Sequence, residues 1–207
     1  MILKPALPAQ FPYGYSVSCT EFNRGSRVAL PGNKTAQQIG PATVRRMLFT
    51  PSELNKSRIK AKLKEIPFEQ KPVFEDYDQL HLLINGVKVT FFNYPYSIGH
   101  PVKVGSFITI PTLLTLAAMK AFALGRRAKW KDYVDLFFIL RYHYSIKEIA
   151  NQAQNIFGQL FSEKLFREQL AFHKDIDYTE PVMFIIKPVS DDEIKNFLIE
   201  KAIDLFD

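Results

Sequence analysis

The sequence predicts a mixed α/β (α+β) domain, with a small mixed sheet first and helices dominating from about residue 111. Three observations carry this prediction. Two strand-like runs, at residues 80–84 and 87–92, flank Asn85-Gly86, a dipeptide that favours the positive φ angles of a tight hairpin turn. From residue 113 onward, apolar residues recur at helical spacing between capping signals. The chain has 207 residues, 47% of them hydrophobic, which is enough for one domain with a substantial core.

The first element with a clear period is an amphipathic helix over residues 51–66. Its apolar stripe consists of Leu54, Ile59, Leu63 and Ile66. We interpret the lysines between them as a solvated face, although a basic helix of this kind could also contact RNA. After the hairpin, a short strand is predicted at residues 104–110, so the expected sheet is built from residues 80–110.

The second half of the chain reads as a series of helices. Two of them lie within residues 109–142 and are joined by a short basic turn, and Pro111 is expected in the first turn of the earlier one. Further helices are predicted at residues 145–156, 162–172 and 190–205.

Capping residues and apolar spacing support these later helices. Ser145 and Glu148 have the spacing of a capping box, and Ser190 precedes the acidic start of the last helix. In the helix at residues 162–172, the side chains expected to be buried are Leu165, Phe166 and Leu170.

Composition excludes several classes of protein. A single cysteine, Cys19, excludes an intrachain disulfide and a cysteine-rich zinc site. The apolar runs are interrupted by charges and are too short to cross a bilayer, and the N-terminus lacks the layout of a signal peptide. We therefore expect no membrane association and a cytoplasmic location.

The net charge of +6 is concentrated in the N-terminal quarter. Residues 1–52 contain six basic side chains and one acidic side chain, Glu21, whereas the remaining 155 residues contain 21 basic and 20 acidic ones. No apolar period persists in residues 1–47, so we expect an irregular basic N-terminal segment there. The near neutrality of the rest argues against a purely electrostatic nucleic-acid binder.

The candidate site lies in the first helix pair. Lys120 sits in the middle of an apolar helix, where an ammonium is costly unless it meets a carboxylate or an anion. Asp132 and Asp135 are three residues apart and share one face of the second helix. Arg126 and Arg127 lie at the turn. Two interpretations stay open: a structural ion pair between the helices with solvated arginines, or a functional site that binds an anion.

The order of these residues resembles a family signature. The matching positions are Met119, Lys120, Arg127, Lys131, Asp132, Asp135 and Leu136. This pattern resembles that of the AbiEii/AbiGii nucleotidyltransferase toxin family, which belongs to the DNA polymerase β-type nucleotidyltransferase superfamily. The resemblance extends from about residue 48 to the end. It implies a minimal nucleotidyltransferase core at residues 48–207, with a helical part from about residue 111.

The resemblance also implies an activity and roles for the site residues. Members of the family are toxins of toxin–antitoxin pairs or act in phage abortive infection. The implied reaction is Mg²⁺-dependent transfer of a nucleotide from an NTP to an acceptor, with tRNA ends as the leading candidate and a cognate antitoxin as a protein partner. Lys120, Arg126 and Arg127 would hold phosphates. Asp132 would be the leading carboxylate, and Asp135 would orient Lys120.

The chain departs from the family at the metal-binding motif. In the family, paired aspartates precede a Leu-Phe pair, whereas Leu48-Phe49 here follows a stretch without any carboxylate, and the first aspartate of the chain is Asp76. Thr90 stands where the family often has a further carboxylate. Such carboxylates hold Mg²⁺ against the triphosphate. We therefore interpret residues 1–47 as a degraded, misread or frameshifted copy of the motif, and expect an inactive or impaired transferase. The alternative is a non-catalytic remnant that binds a nucleotide or a partner protein.

Overall fold

Four strands form one mixed sheet in the first half of the chain. The computed structural model describes residues 45–50, 53–99, 101–104, 108–180, 182, 184 and 188–204. The strands of the sheet are β1 (Arg45–Thr50), β2 (Gln70–Asp76), β3 (Gln79–Ile84) and β4 (Val87–Asn93). Their order is β1-β4-β3-β2, with β1 parallel to β4 and the other neighbours antiparallel. A separate antiparallel ribbon follows, made of β5 (Val102–Val104) and β6 (Ile108–Ile110).

Helices make up most of the remaining described chain. They are α1 (Lys56–Leu63), α2 (Leu113–Leu124), α3 (Trp130–Tyr142), α4 (Ile146–Phe157), α5 (Glu163–Ala171) and α6 (Asp191–Ile203), with a 3-10 turn at Gly158–Leu160. The predicted mixed α/β class is confirmed. Within the described residues, no helix has the length and apolar character needed to cross a membrane.

The β3–β4 hairpin forms as its turn residues predict. Asn85 has φ 48° and Gly86 has φ 77°, the left-handed conformations that a two-residue turn of this kind requires. Strand β3 alternates between partly buried and buried side chains. Its buried face and that of β4 pack against α1, and the residues of this cluster include Leu54, Ile59, Leu63, Leu80, Leu82, Ile84, Val89 and Phe91. Helix α1 therefore covers one face of the sheet.

The extent of the sheet was predicted wrongly. It spans residues 45–93 instead of 80–110, and the expected strand at 104–110 is a ribbon of two short strands instead of one. Strand β2 escaped prediction because Pro72, a bulge beside it and flanking charges interrupt its pattern. Proline and bulges are typical of edge strands, where they discourage pairing with another chain. Strand β1 escaped prediction because its first three residues belong to the stretch without a period.

Three local expectations differ from the structure. Helix α1 begins later than predicted, because the side chain of Asn55 accepts a hydrogen bond from the backbone N–H of Arg58 and caps the helix. Helix α2 is capped by Thr112, so Pro111 precedes the cap and is not in the first turn. Leu165 is 58% exposed, although Phe166 and Leu170 of the same helix are buried.

Other expectations are confirmed or lie outside the described residues. The capping box of Ser145 and Glu148 is complete, with both reciprocal hydrogen bonds present. Residues 1–44 and the predicted helix end at Leu205 lie outside the described residues. The division of the chain into 1–47 and 48–207 stays a prediction.

An aromatic cluster joins the sheet to the helices. Phe49 of β1 lies 5.1 Å from Tyr94, and Tyr94 lies 5.1 Å from Tyr96, measured between ring centroids. Tyr96 in turn contacts Phe157 at 4.8 Å, and Phe157 stacks on Phe122 of α2 at 3.9 Å. Edge-to-face and offset-stacked pairs of this kind add stability beyond the area they bury. This aromatic joint links α2 and α4 to the side of the sheet not covered by α1.

A buried tyrosine joins α3 to the end of α5. Tyr133 is fully buried, and its hydroxyl donates to the carbonyl oxygens of Gln169 at 3.3 Å and Phe172 at 3.1 Å. Burial raises the pKa of Tyr133 to about 12, from an ordinary value near 10, and nearby negative groups, Asp175 first among them, add to the rise.

We predict that Tyr133→Phe lowers the free energy of unfolding at neutral pH by about 1 kcal/mol, since the hydrogen bonds of the buried hydroxyl to the carbonyl oxygens of Gln169 and Phe172 are lost. The raised pKa adds a pH dependence. Stability from the neutral phenol is fully present below about pH 10 and is lost as the pH rises toward 12. In urea unfolding at pH 8, 10 and 11, the free energy of unfolding should therefore fall more steeply with pH for wild type than for Tyr133→Phe.

The control, Tyr142→Phe, removes a hydroxyl from a side chain that is 61% exposed and should match wild type. Equal slopes for wild type and Tyr133→Phe would contradict this account.

Candidate functional site

Helices α2 and α3 bring the predicted site residues together. The ammonium Nζ of Lys120 lies 3.1 Å from Oδ1 of Asp132 and is in closer contact still with Oδ2 of Asp135. On the exposed side, Nε of Arg127 lies 3.4 Å from Oδ2 of Asp132. We refer to these four residues as the Lys120 cluster.

The interior of this cluster is nearly closed to solvent. The side chain of Lys120 is 12% exposed, that of Asp135 is 12% exposed and that of Asp132 is 2% exposed. Buried charges cost several kcal/mol each unless paired with good geometry. The sequence achieves the pairing because the two aspartates lie one helical turn apart, on a face that meets the middle of α2.

The carboxylates keep the lysine charged. Burial alone would lower the pKa of Lys120, but Asp135 and Asp132 together outweigh it and raise that pKa above its ordinary value. Burial also raises the pKa of the Asp135 carboxyl, and the ammonium of Lys120 opposes this rise. The lysine is therefore a fixed cation held by two acidic groups, not a proton donor or acceptor near neutral pH.

Arg127 connects the buried interior to the surface. Its side chain is 49% exposed. Oδ2 of Asp132, which faces it, is buried and has no hydrogen-bond partner within the described part of the chain, because 3.4 Å satisfies an ion pair but not a well-aligned hydrogen bond. Asp132 thus bridges a buried lysine and an exposed arginine.

Arg126 does not join the cluster. Its guanidinium carbon lies 4.3 Å from the centroid of Phe122, a cation–π contact at the edge of the aromatic joint. Of the five predicted site residues, four therefore converge and one lies beside them. The structure has the ion pair between Lys120 and Asp135 that the first interpretation expected, whereas a role in function stays a prediction.

A second ion network lies next to the cluster and was missed by sequence reasoning. Lys129 contacts Glu180 at 2.8 Å and Asp177 at 3.6 Å, and Lys131 also contacts Glu180. Glu180 is 49 residues from Lys131, and no local pattern signals a partner at that separation. The cavity of about 460 Å³ that lies between α5 and α6 is lined by none of the predicted site residues.

The described residues do not fit the Mg²⁺ that the family resemblance implies. In the β1–β4 register, Arg45 stands opposite Lys88 and Met47 stands opposite Thr90, so neither side supplies a carboxylate. Among the residues that the structure describes, no group of three histidine, cysteine or acidic side chains could hold a metal ion. Asp132 and Asp135 are already paired with Lys120.

The fold is similar to that of one solved nucleotidyltransferase toxin. MenT4, a nucleotidyltransferase toxin from Mycobacterium tuberculosis H37Rv, superposes with a TM-score of 0.52 at 12% sequence identity, covering 92% of this chain and 76% of that one. JHP933 from Helicobacter pylori gives a TM-score of 0.43 at 14% identity, covering 82% and 79%. The first likeness establishes the fold alone.

Sequence comparison adds one relative and no family. No family model matches the chain. The Aquifex aeolicus (strain VF5) protein named "Uncharacterized protein aq_aa25" is 28% identical over 135 residues. That alignment covers 63% of this chain and 63% of the relative, so the chain spans less than two thirds of the length of the protein it matches. The finer resemblance to the AbiEii/AbiGii family stays a prediction.

We predict that Lys120→Met lowers the free energy of unfolding by about 3–5 kcal/mol, the usual cost of leaving one side of a buried ion pair unpaired. The double variant Lys120→Met/Asp135→Asn should recover a large part of this loss, because one buried negative charge leaves with the ammonium. Urea denaturation of wild type, the two single variants and the double variant gives the coupling energy.

A matched control is Lys147→Met, which removes a lysine from the exposed surface of α4. It should change stability by no more than about 0.5 kcal/mol. If the double variant loses as much free energy of unfolding as the two single variants together, Lys120 and Asp135 do not stabilise each other.

Proposed function

We propose that this protein is a nucleotidyltransferase-like toxin that binds an NTP beside the Lys120 cluster and is impaired in the transfer step. The acceptor we propose is a tRNA end, and the protein partner a cognate antitoxin in a cytoplasmic toxin–antitoxin or abortive-infection system. The proposal is supported by the fold likeness to MenT4, which extends over 92% of this chain. It is also supported by the cationic residues at the α2–α3 turn.

The observation that carries the proposal is the register of β1 with β4. The resemblance places paired aspartates just before Leu48, on the strand that runs parallel to β4, and this chain has Arg45 and Met47 there. Thr90, opposite Met47, supplies no carboxylate either. The residues that we propose to bind phosphates are in the chain, whereas the positions that would bind metal have no acidic side chain. An NTP can therefore be bound without being activated for transfer.

The same observation favours a second candidate, a non-catalytic protein that binds a nucleotide or the antitoxin. Such a protein needs the cationic turn and the fold but no metal ligands. The two candidates differ in whether restoring carboxylates restores transfer.

We predict that wild-type protein transfers no label from radiolabelled NTPs to total tRNA in the presence of Mg²⁺, since the metal positions lack acidic side chains. The triple variant Arg45→Asp/Met47→Asp/Thr90→Asp should transfer label, and EDTA should abolish it. Denaturing gels that resolve tRNA from protein provide the measurement.

The control is Arg46→Asp, which adds a carboxylate to the same strand opposite Val89. Position 46 lies between positions 45 and 47, and successive residues of a strand point to opposite faces. It should transfer nothing. Label on tRNA from the wild-type protein would show that it is active and that its metal ligands lie elsewhere. NTP binding without transfer by the folded triple variant would favour the non-catalytic candidate.

A further inference from the structure

The three cationic side chains at the candidate site differ in their availability to a ligand. Lys120 is 12% exposed and contacts two carboxylates. Arg127 is 49% exposed, and its ion pair with Asp132, at 3.4 Å, is longer than those of Lys120. Arg126 is exposed, and within the described part of the chain no carboxylate lies within 4 Å of it; its guanidinium carbon lies 4.3 Å from the centroid of Phe122. The availability of the cation to a ligand thus increases from Lys120 in the interior to Arg127 and Arg126 at the surface.

The interior of the cluster has no surplus positive charge to attract an anion. One ammonium against two carboxylates, those of Asp132 and Asp135, leaves one negative charge, and Arg127 is needed to bring the cluster to neutrality. A phosphate that approached Lys120 would meet both carboxylates at close range in a poorly solvated environment. Drawing the ammonium away from them would leave two buried negative charges unpaired.

The two arginines are placed to bind phosphate without such a loss. The contact of Arg127 with Asp132 is through Nε at 3.4 Å, and a guanidinium has five N–H donors, so one such contact does not use them all. The Arg126 guanidinium makes a cation–π contact with Phe122, and this contact uses none of its N–H donors. Arginine suits the oxygens of a polyphosphate because its planar guanidinium can donate two parallel hydrogen bonds, and two consecutive arginines lie at this turn.

We propose that Arg127 and Arg126 contact the triphosphate of the nucleotide, and that Lys120 contacts no phosphate but is a positioning residue acting through Asp132 on Arg127. The chain of contacts runs from Nζ of Lys120 to Oδ1 of Asp132, and from Oδ2 of Asp132 to Nε of Arg127. This inference rests on the proposed function, and it reassigns the role that the family resemblance gives to the lysine.

A double-mutant cycle separates direct contact from positioning. The probe is inorganic triphosphate, the part common to all NTPs, with binding measured by isothermal titration calorimetry. Arg127→Ala should weaken binding about 10- to 100-fold, as expected for lost hydrogen bonds to a charged group. Lys120→Met/Asp135→Asn removes one charge of each sign, and it should weaken binding by a smaller factor because Asp132 loses its anchor.

The informative variant combines all three substitutions. If Lys120 acts only through Arg127, the triple variant should bind as weakly as Arg127→Ala alone, within about twofold. If Lys120 contacts phosphate, its removal should cost the same factor with or without Arg127, and that additive result would overturn the inference. If Lys120→Met/Asp135→Asn binds triphosphate as tightly as wild type, the positioning role is overturned.

Two controls keep the outcome interpretable. Arg58→Ala removes an exposed arginine from α1, outside the site, and should leave binding unchanged. Thermal unfolding checks each variant, and Lys120→Gln/Asp135→Asn, which keeps an N–H donor for Asp132, replaces the methionine variant if that one does not fold. A wild-type protein that binds neither triphosphate nor any NTP would overturn the proposed function together with this inference, whereas additive losses would overturn the inference alone.

Discussion

The buried ammonium of Lys120 between Asp132 and Asp135 constrains the helical half of the molecule. Helix α2 packs against α3, α4 and α5, so its position affects every helix around it. The apolar contacts of α2 would tolerate small shifts along its axis, because hydrophobic contacts are not directional. An ion pair in a nearly dry interior does not tolerate them, since a displaced charge loses its partner and keeps its desolvation cost. The cluster therefore fixes how α2 and α3 meet.

The same interaction bears on where the proposed nucleotide would bind. Because the interior charges are used for pairing, the surplus positive charge lies at the turn between the two helices. The turn adjoins the aromatic joint, which connects α2 and α4, through Phe122 and Phe157, to the side of the sheet not covered by α1. Fold stability and anion binding would thus be properties of neighbouring residues instead of the same residues, and substitutions can separate the two.

Sequence reasoning succeeded where the signal is local. The hairpin follows from the positive φ preference of Asn85-Gly86, and the start of α4 follows from the capping box at Ser145. It failed where pairing is distant in sequence. Strand β1 is held by β4, about 40 residues away, and its own side chains carry no alternation that identifies a strand. Leu165 was misplaced because apolar character alone does not give its direction on a short helix.

The site was predicted only in part, because some of its contacts follow from local sequence and others from tertiary distances. An ammonium in an apolar helix and two aspartates one turn apart were enough to predict that Lys120 meets a carboxylate. The apolar helix around Lys120 indicated burial, but the sequence did not give its extent, because that depends on how closely α2 approaches α3. The bridging position of Asp132 and the partnership of Lys129 with Glu180 depend on tertiary distances in the same way.

The most direct test of this account is side-chain NMR of ¹⁵N-labelled protein titrated with a non-hydrolysable NTP. Slow proton exchange of a buried ammonium makes the signal of Lys120 observable, and the Nε–H of Arg127 can be followed in the same sample. We predict that the Arg127 signal shifts on binding and becomes protected from exchange. The Lys120 signal should keep its chemical shift and its slow exchange, because the ammonium stays with the two aspartates. A large change at Lys120 with none at Arg127 would mean that the ammonium leaves its carboxylates for the phosphates, and would contradict the account.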